Sequence, residues 1–227
     1  MDNPPTSYAT WHTDAAREAV MEEGHRPLWR HFIETIPETE LATREVLDFG
    51  CNRGGFLRLL YALKPFRHGV GVDIAHDSIA AARELAGTAP IDYQVASDVS
   101  AWANRFDIAF SYEVIYLLPD IAAHAASIHA ALQDRGVYYA VTGCHTESPL
   151  WPLWRNVIGE TTNAPVQDRA PEAYADALAS AGFAVSVRRF GYSGFVPVSK
   201  DSRYYPKLTD AVDYAAEHKL IFRAVKK

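Results

Sequence analysis

Three aspartates and one group of glycines are spaced as though to do chemistry. In VLDFGCNRGGFLRLL (46–60), Asp48 closes a short apolar run, and Gly50, Cys51, Asn52, Gly54 and Gly55 follow before a helix-like run begins. Glycine takes positive φ freely and lets a ligand approach main chain, and Asn is one of the few other residues that tolerates that region. The helix that follows offers unpaired N–H groups and the positive end of its dipole, which favours a carboxylate or a phosphate. An acid at Asp48 would repel a pyrophosphate but suits an ammonium. A ligand with both an ammonium and a carboxylate is an amino acid.

Two more aspartates extend that ligand. Asp73 stands at the tip of the run GVGVDI, where acids accept both hydroxyls of a ribose, with Ile74 after it. Asp98 follows IDYQVAS and can accept from an adenine amino group. Each could instead cap a helix. An amino acid, a ribose and an adenine together describe S-adenosylmethionine. A dinucleotide remains the rival: G-x-G-x-x-G maps onto Gly50, Asn52 and Gly55, so its middle glycine is missing.

These residues need a scaffold. Short apolar runs at Val46–Phe49, Val70–Ile74, Ile91–Val95, Phe106–Phe110 and Val137–Val141 alternate with helical patterns, such as Ile121, Ala125, Ile128 and Leu132. That alternation implies a parallel sheet with right-handed crossovers. Residues 14–35 predict one or two helices broken near Gly24 and Pro27. Pro171 opens a helix that Gly182 closes. FAVSVRR (183–189) alternates as an edge or antiparallel strand does, a short helix is expected around 207–216, and KLIFRAV (219–225) ends the chain as a strand. The expected fold is a three-layer, Rossmann-like α/β sheet of seven strands, in one domain over 1–227. A helical cap over 1–43 and insertions at 145–170 and 191–216 sit outside its common frame.

Across about residues 44–142 the sequence resembles the class I S-adenosylmethionine-dependent methyltransferases. VLDFGCNRGG is similar to their first motif, with Asn52 where a glycine usually stands. GVDIAHDSIAAAR is similar to the second, ASDV to the adenine-contacting segment, RFDIAFSYEVIYLLPD to the fourth-strand motif, and LQDRGVYYAV to the turn and fifth strand. The resemblance implies a mostly parallel sheet with a reversed last strand, helices on both faces, and S-adenosylmethionine as cofactor. It places Asp48, Gly50 and Asn52 around the methionine part and Asp73 at the ribose, with Cys51, Gly54 and Ile74 as further cofactor-binding candidates. Asp98 and Val99 flank the adenine, and Ser111, Tyr112 and Glu113 face the reactive side.

The activity expected is methyl transfer to a small-molecule acceptor, chiefly by proximity and orientation. His145, after the fifth strand, is the candidate general base, with Glu147 and Glu113 behind it. Tyr116, Trp151, Trp154, Tyr192 and Tyr204, with Phe195 and Tyr205, are candidates to enclose the acceptor; a satellite cluster or a dimer contact is the plainer use of such aromatics. Arg155 and Arg203 could hold an acceptor carboxylate. Tyr8 and Trp11 could close over the cofactor, although core packing or disorder is the favoured reading. An NAD-linked oxidoreductase would explain the turn and Asp73 but not Asp48 or Asp98, and a non-catalytic S-adenosylmethionine-binding partner protein fits the same motifs.

Other features narrow the field. GYSGF (191–195) lacks the last glycine of G-x-S-x-G. His124 and His129 share no helix face, so no metal is expected. NPPT (3–6) resembles the Asn-Pro-Pro-aromatic motif of amino-group methyltransferases on nucleic acids, but lacks the aromatic and precedes the glycine turn. The net charge of −6 argues against a nucleic-acid partner. No run is long and apolar enough for a membrane. The two cysteines, Cys51 and Cys144, are expected to pack as thiols, consistent with a cytoplasmic location, and a homodimer is a conceivable assembly.

Overall fold

The computed structural model describes residues 8–14, 16–197 and 203–227; the NPPT stretch lies outside them. Seven strands form one sheet in the order β3-β2-β1-β4-β5-β7-β6. They are β1 (Glu45–Phe49), β2 (His68–Asp73), β3 (Ile91–Val95), β4 (Phe106–Tyr112), β5 (Leu132–Thr142), β6 (Phe183–Arg189) and β7 (Leu220–Lys226). The first five run parallel, and β7 lies antiparallel to both β5 and β6.

Central strands in such a sheet are buried on both faces and carry apolar residues continuously. Val46, Ile108, Phe110 and Tyr139 point into one core, with α1 (Ala16–Thr35), α2 (Gly55–Leu63) and α3 (His76–Leu85). Leu47, Ala109, Tyr138 and Ala140 point into the other, with α4 (Ile121–Ala131), α5 (Trp151–Thr161) and α6 (Pro171–Ser180). A short α7 (Leu208–Asp213) leads through a widened turn, Tyr214–His218, into β7.

The region expected as one or two helices is one. Pro27 removes a donor from α1 without ending it. Phe32 and Ile33, one turn on, are buried and anchor the helix past that lost bond. Strand β6 is an antiparallel edge strand, as its pattern predicts, but it is exposed over most of its length and does not alternate in burial.

Strand order reverses between β2-β1 and β4, because β1 pairs with both β2 and β4. Crevices at the carboxyl ends of parallel strands open at such switch points. Asp48 sits in register with Gly71 of β2 and Phe110 of β4. The tips of these strands therefore meet in one place.

Candidate functional site

A cavity of about 1060 Å³ opens over those tips. Its floor is the turn after β1. Gly50 lies at φ +79°, and a Cβ there would fall 2.3 Å from Val114 Cγ2, so only glycine fits. Asn52 holds φ +47°. Gly54 is also left-handed, but a Cβ there would meet the ring of Tyr93, whose hydroxyl donates to the Gly54 carbonyl at 3.2 Å. Gly54 serves packing and does not line the cavity.

Three acids stand around this floor. Asp48 is 2% exposed, and its Oδ2 meets no hydrogen-bond partner among the described residues. Burial, then the neighbouring charge of Asp73, pushes its carboxyl up to about 8. Asp73 receives the backbone N–H of Asn52 at Oδ2 (2.8 Å) and of Ala75 at Oδ1 (2.9 Å). Burial still raises it, against the pull of those bonds. Asp98 lies exposed at the rim. The Ser100 hydroxyl at 2.6 Å, then the Ser127 hydroxyl and the Ser100 N–H, hold it down at about 2.

The far wall is of another kind. Tyr112 ends β4, and Glu113 follows at φ +57°, a conformation that costs a non-glycine residue roughly 1–3 kcal/mol. The surroundings fix it there. Glu113 Oε1 pairs with Lys219 Nζ at 2.9 Å and accepts the Tyr214 hydroxyl at 2.6 Å; Oε2 accepts the Thr142 hydroxyl at 3.0 Å. Lys219 is 1% exposed, donates to the Tyr112 hydroxyl at 2.9 Å, and lies 4.7 Å and 4.9 Å from the ring centres of Tyr112 and Tyr214. His25 of α1 faces the same space, its ring 5.6 Å from Trp29 and 5.8 Å from Tyr112. Burial, then Lys219, lowers the imidazole to about 4, so it is neutral at pH 7.

The structure brings Asp48, Gly50, Cys51, Asn52, Asp73 and Ile74 into the cavity wall, with Asp98, Tyr112 and Glu113. On the acceptor side it brings Tyr116, Trp154 and Tyr204, together with Arg203. Tyr8 and Trp11 line it as well, so the segment before α1 is part of the enclosure and not merely packing.

Other candidates stand elsewhere. His145 does not line the cavity: it is 4% exposed, and its Nε2 sits 2.8 Å from the His218 carbonyl oxygen, tying the end of β5 to the start of β7. Ser111 is the penultimate residue of β4, not a residue after it, and is buried within the sheet. Val99 is fully buried beneath the site, and Ala96 and Ser97 take the place at the wall expected of it. Trp151 turns into the core and donates to Asp168 at 2.8 Å, while Arg155 pairs with the same carboxylate at 2.9 Å. Tyr192 packs against His31 at 5.3 Å, away from the cavity. Glu18, His25, Tyr214 and Lys219 line the cavity although the motifs do not contain them.

Cys51 and Cys144 are both free thiols. Among the described residues no cluster of His, Cys, Asp and Glu could hold a metal ion, and no helix is long and apolar enough to cross a membrane.

A switch-point cavity at the strand tips of a seven-stranded sheet with a reversed β7 defines the class I S-adenosylmethionine-dependent methyltransferase fold. The chain belongs to the methyltransferase-domain family, whose sequence profile matches residues 21–186. It is similar to trans-aconitate 2-methyltransferase of Rhodopseudomonas palustris (strain BisB5), 28% identical over 141 residues. That match covers 61% of this chain and 53% of the relative, so it spans about half the relative's length. One chain of a solved complex between the Haloferax volcanii Trm112 methyltransferase activator and a methyltransferase superposes with a TM-score of 0.79 at 20% identity, over 93% of this chain and 94% of that one. Geranyl diphosphate C-methyltransferase of Streptomyces coelicolor A3(2), solved with Mg²⁺, geranyl diphosphate and S-adenosylhomocysteine, superposes with a TM-score of 0.66 at 14% identity, over 97% and 91%. At these identities the structural likeness is one of fold.

The cofactor of this class is S-adenosylmethionine, and the residues present fit it. The buried Oδ2 of Asp48, without a hydrogen-bond partner among the described residues, suits a cationic group, and Asp73 retains lone pairs for hydroxyls. A pH dependence follows. A ligand cation favours ionised Asp48, whose free carboxyl titrates at about 8. Binding at pH 6–7 is therefore expected to release a proton, and affinity to rise with pH until about 8. Calorimetry in buffers of different ionisation heat measures the proton, and Asp48→Asn is expected to abolish the pH slope.

Proposed function

We propose that this protein transfers the methyl group of S-adenosylmethionine to a small-molecule acceptor. The observation that carries the reading is one continuous cavity with an acid-lined half at the tips of β1 and β2 and an aromatic-lined half around Tyr112, Tyr214 and Trp154. A volume of about 1060 Å³ slightly exceeds that of a single ligand site, roughly 300–1,000 Å³, and suits a cofactor with an acceptor beside it.

When bound, the cofactor supplies a methyl group on an electrophilic sulfonium. The protein's share is orientation, which can supply about 7–11 kcal/mol of the barrier. Asp48, Asp73 and Asp98 hold the cofactor. Tyr112, Tyr116, Trp154 and Tyr214 bound the acceptor on several sides and exclude water from the line of transfer. Aromatic faces at this wall favour a cationic methyl group. Lys219, locked between Glu113 and Tyr112, keeps that wall rigid. The neutral ring of His25 has no hydrogen-bond partner among the described residues and can accept a hydrogen bond from an acceptor N–H or O–H. It takes the place that His145 does not reach.

The acceptor class is read from less. The relative named for trans-aconitate acts on a small carboxylic acid, and Arg17, Arg53 and Arg203 line this cavity. Small carboxylic acids, trans-aconitate first, are therefore the acceptors to test. The assay follows transfer of isotopically labelled methyl from S-adenosylmethionine to a panel of such acids and to small-molecule extracts. Labelled product with any of them supports the reading. Cofactor binding without transfer to any would leave a binding protein in its place.

A further inference from the structure

Asn52 stands where the resembled motif has a glycine, and the structure supplies a reason. Its side chain is not idle. Asn52 Nδ2 donates to Glu18 Oε2, Asn52 Oδ1 accepts the Arg53 N–H at 2.6 Å, and its own N–H donates to Asp73 Oδ2 at 2.8 Å. Glu18, in the first turn of α1, is 2% exposed. Its other oxygen accepts the His12 N–H at 2.8 Å.

That glutamate thereby ties the turn to the segment before α1. The segment is pinned at both sides of the cavity. The His76 N–H donates to the Tyr8 carbonyl at 3.0 Å, and the Asp77 N–H to the Ala9 carbonyl at 2.9 Å. At the far side the Thr13 N–H donates to the Thr161 carbonyl at 3.0 Å, and the Asn163 N–H to the Trp11 carbonyl at 2.9 Å. The crossing residues Tyr8, Trp11 and His12 line the cavity, as does Glu18 of α1.

We propose that Asn52 and Glu18 are a positioning pair that couples residues 8–14 to the cofactor turn, so that the cofactor is held by both together. The proposal rests on the S-adenosylmethionine reading of the site. A buried glutamate needs its donors, and hydrogen bonds to a charged group are worth more than neutral ones. Among the described residues Asn52 and His12 are the hydrogen-bond donors to Glu18, one from each side of the coupling. Glycine at 52 would suit φ +47° better than asparagine, yet could not reach Glu18.

That opposition makes Asn52→Gly the decisive variant. If asparagine is there only because the turn tolerates it, glycine leaves affinity unchanged. If the pair couples the two parts, Asn52→Gly is expected to fold normally, since it relieves the backbone, and to bind S-adenosylhomocysteine about tenfold more weakly. Glu18→Ala is expected to weaken binding similarly, and the double variant no further than either single one. Hydrogen exchange supplies an independent readout: S-adenosylhomocysteine is expected to slow exchange in residues 8–14 of the wild type but not of Asn52→Gly. Wild-type affinity in Asn52→Gly, or fully additive losses, would overturn the coupling alone. No titration heat from the wild type would overturn the cofactor reading and the proposal with it.

Discussion

Asp73→Ala is expected to lower affinity for S-adenosylhomocysteine by about 100-fold or more. The carboxylate does two things at the site. It receives the Asn52 and Ala75 N–H groups at 2.8 Å and 2.9 Å, which fixes the turns after β1 and β2 relative to each other. It also presents its remaining lone pairs to the cavity, where a ribose diol would sit. Alanine removes the diol's acceptor and leaves two N–H groups seeking water. Hydrogen bonds to charged groups are worth about 1.5–3 kcal/mol each, and every 1.4 kcal/mol is tenfold in affinity. Two such losses already reach the expected factor. Asp73→Asn keeps one acceptor and is expected to fall between. Calorimetry measures the affinities, with circular dichroism to show a folded protein. Undiminished binding by a folded Asp73→Ala would remove that residue from the site.

Lys219→Met is expected to destabilise the fold by about 3–5 kcal/mol, because it strands the charge of Glu113 inside the protein. Removing both partners, in Lys219→Met/Glu113→Gln, is expected to cost much less. Burial pushes the Glu113 carboxyl up, but Lys219 and the Tyr214 hydroxyl outweigh it and hold it below its ordinary range. Burial likewise disfavours the Lys219 ammonium, and Glu113 with Tyr112 outweighs that, raising it above its ordinary range. The lowered acid contributes stability at pH above its unfolded pKa of about 4, lost as pH falls through its folded value. The raised base contributes below about 10.4, lost as pH rises through its folded value. The pair is therefore intact across neutral pH. Denaturant unfolding at pH 7 and pH 3 checks this: the wild type is expected to lose more stability on acidification than the double variant. Equal losses, or a single variant as stable as the double, would contradict the pairing.

The acid-lined half of the candidate site was legible in the sequence because its geometry is local. Asp48 and Asp73 stand at or next to the last residue of an apolar strand, and a parallel sheet carries all such ends to one edge. The acceptor half was less legible, since it depends on directions that one-dimensional order does not carry. His145 follows β5 as a base might, but the chain turns it toward the His218 carbonyl. The aromatic residues of the insertions at 145–170 and 191–216 predicted enclosure, and Trp154 and Tyr204 line the cavity, yet Trp151 and Tyr192 face elsewhere. Counting aromatics says how much surface will be buried, not against what. Lys219 reads as a solvated residue at the head of a strand, and lysines are rarely buried unless paired. Its partner Glu113 lies far along the chain and meets it only because β7 inserts beside β5. Glu18 was equally hidden, as an ordinary acid in the first turn of a helix.

The central claim is that carboxylates at successive strand tips hold S-adenosylmethionine. Isothermal titration of the wild-type protein with S-adenosylmethionine, beside NADH, tests it most directly. Saturable one-to-one binding of S-adenosylmethionine, with no heat from NADH, is the expected result. No heat from S-adenosylmethionine, or saturable binding of NADH instead, would contradict it.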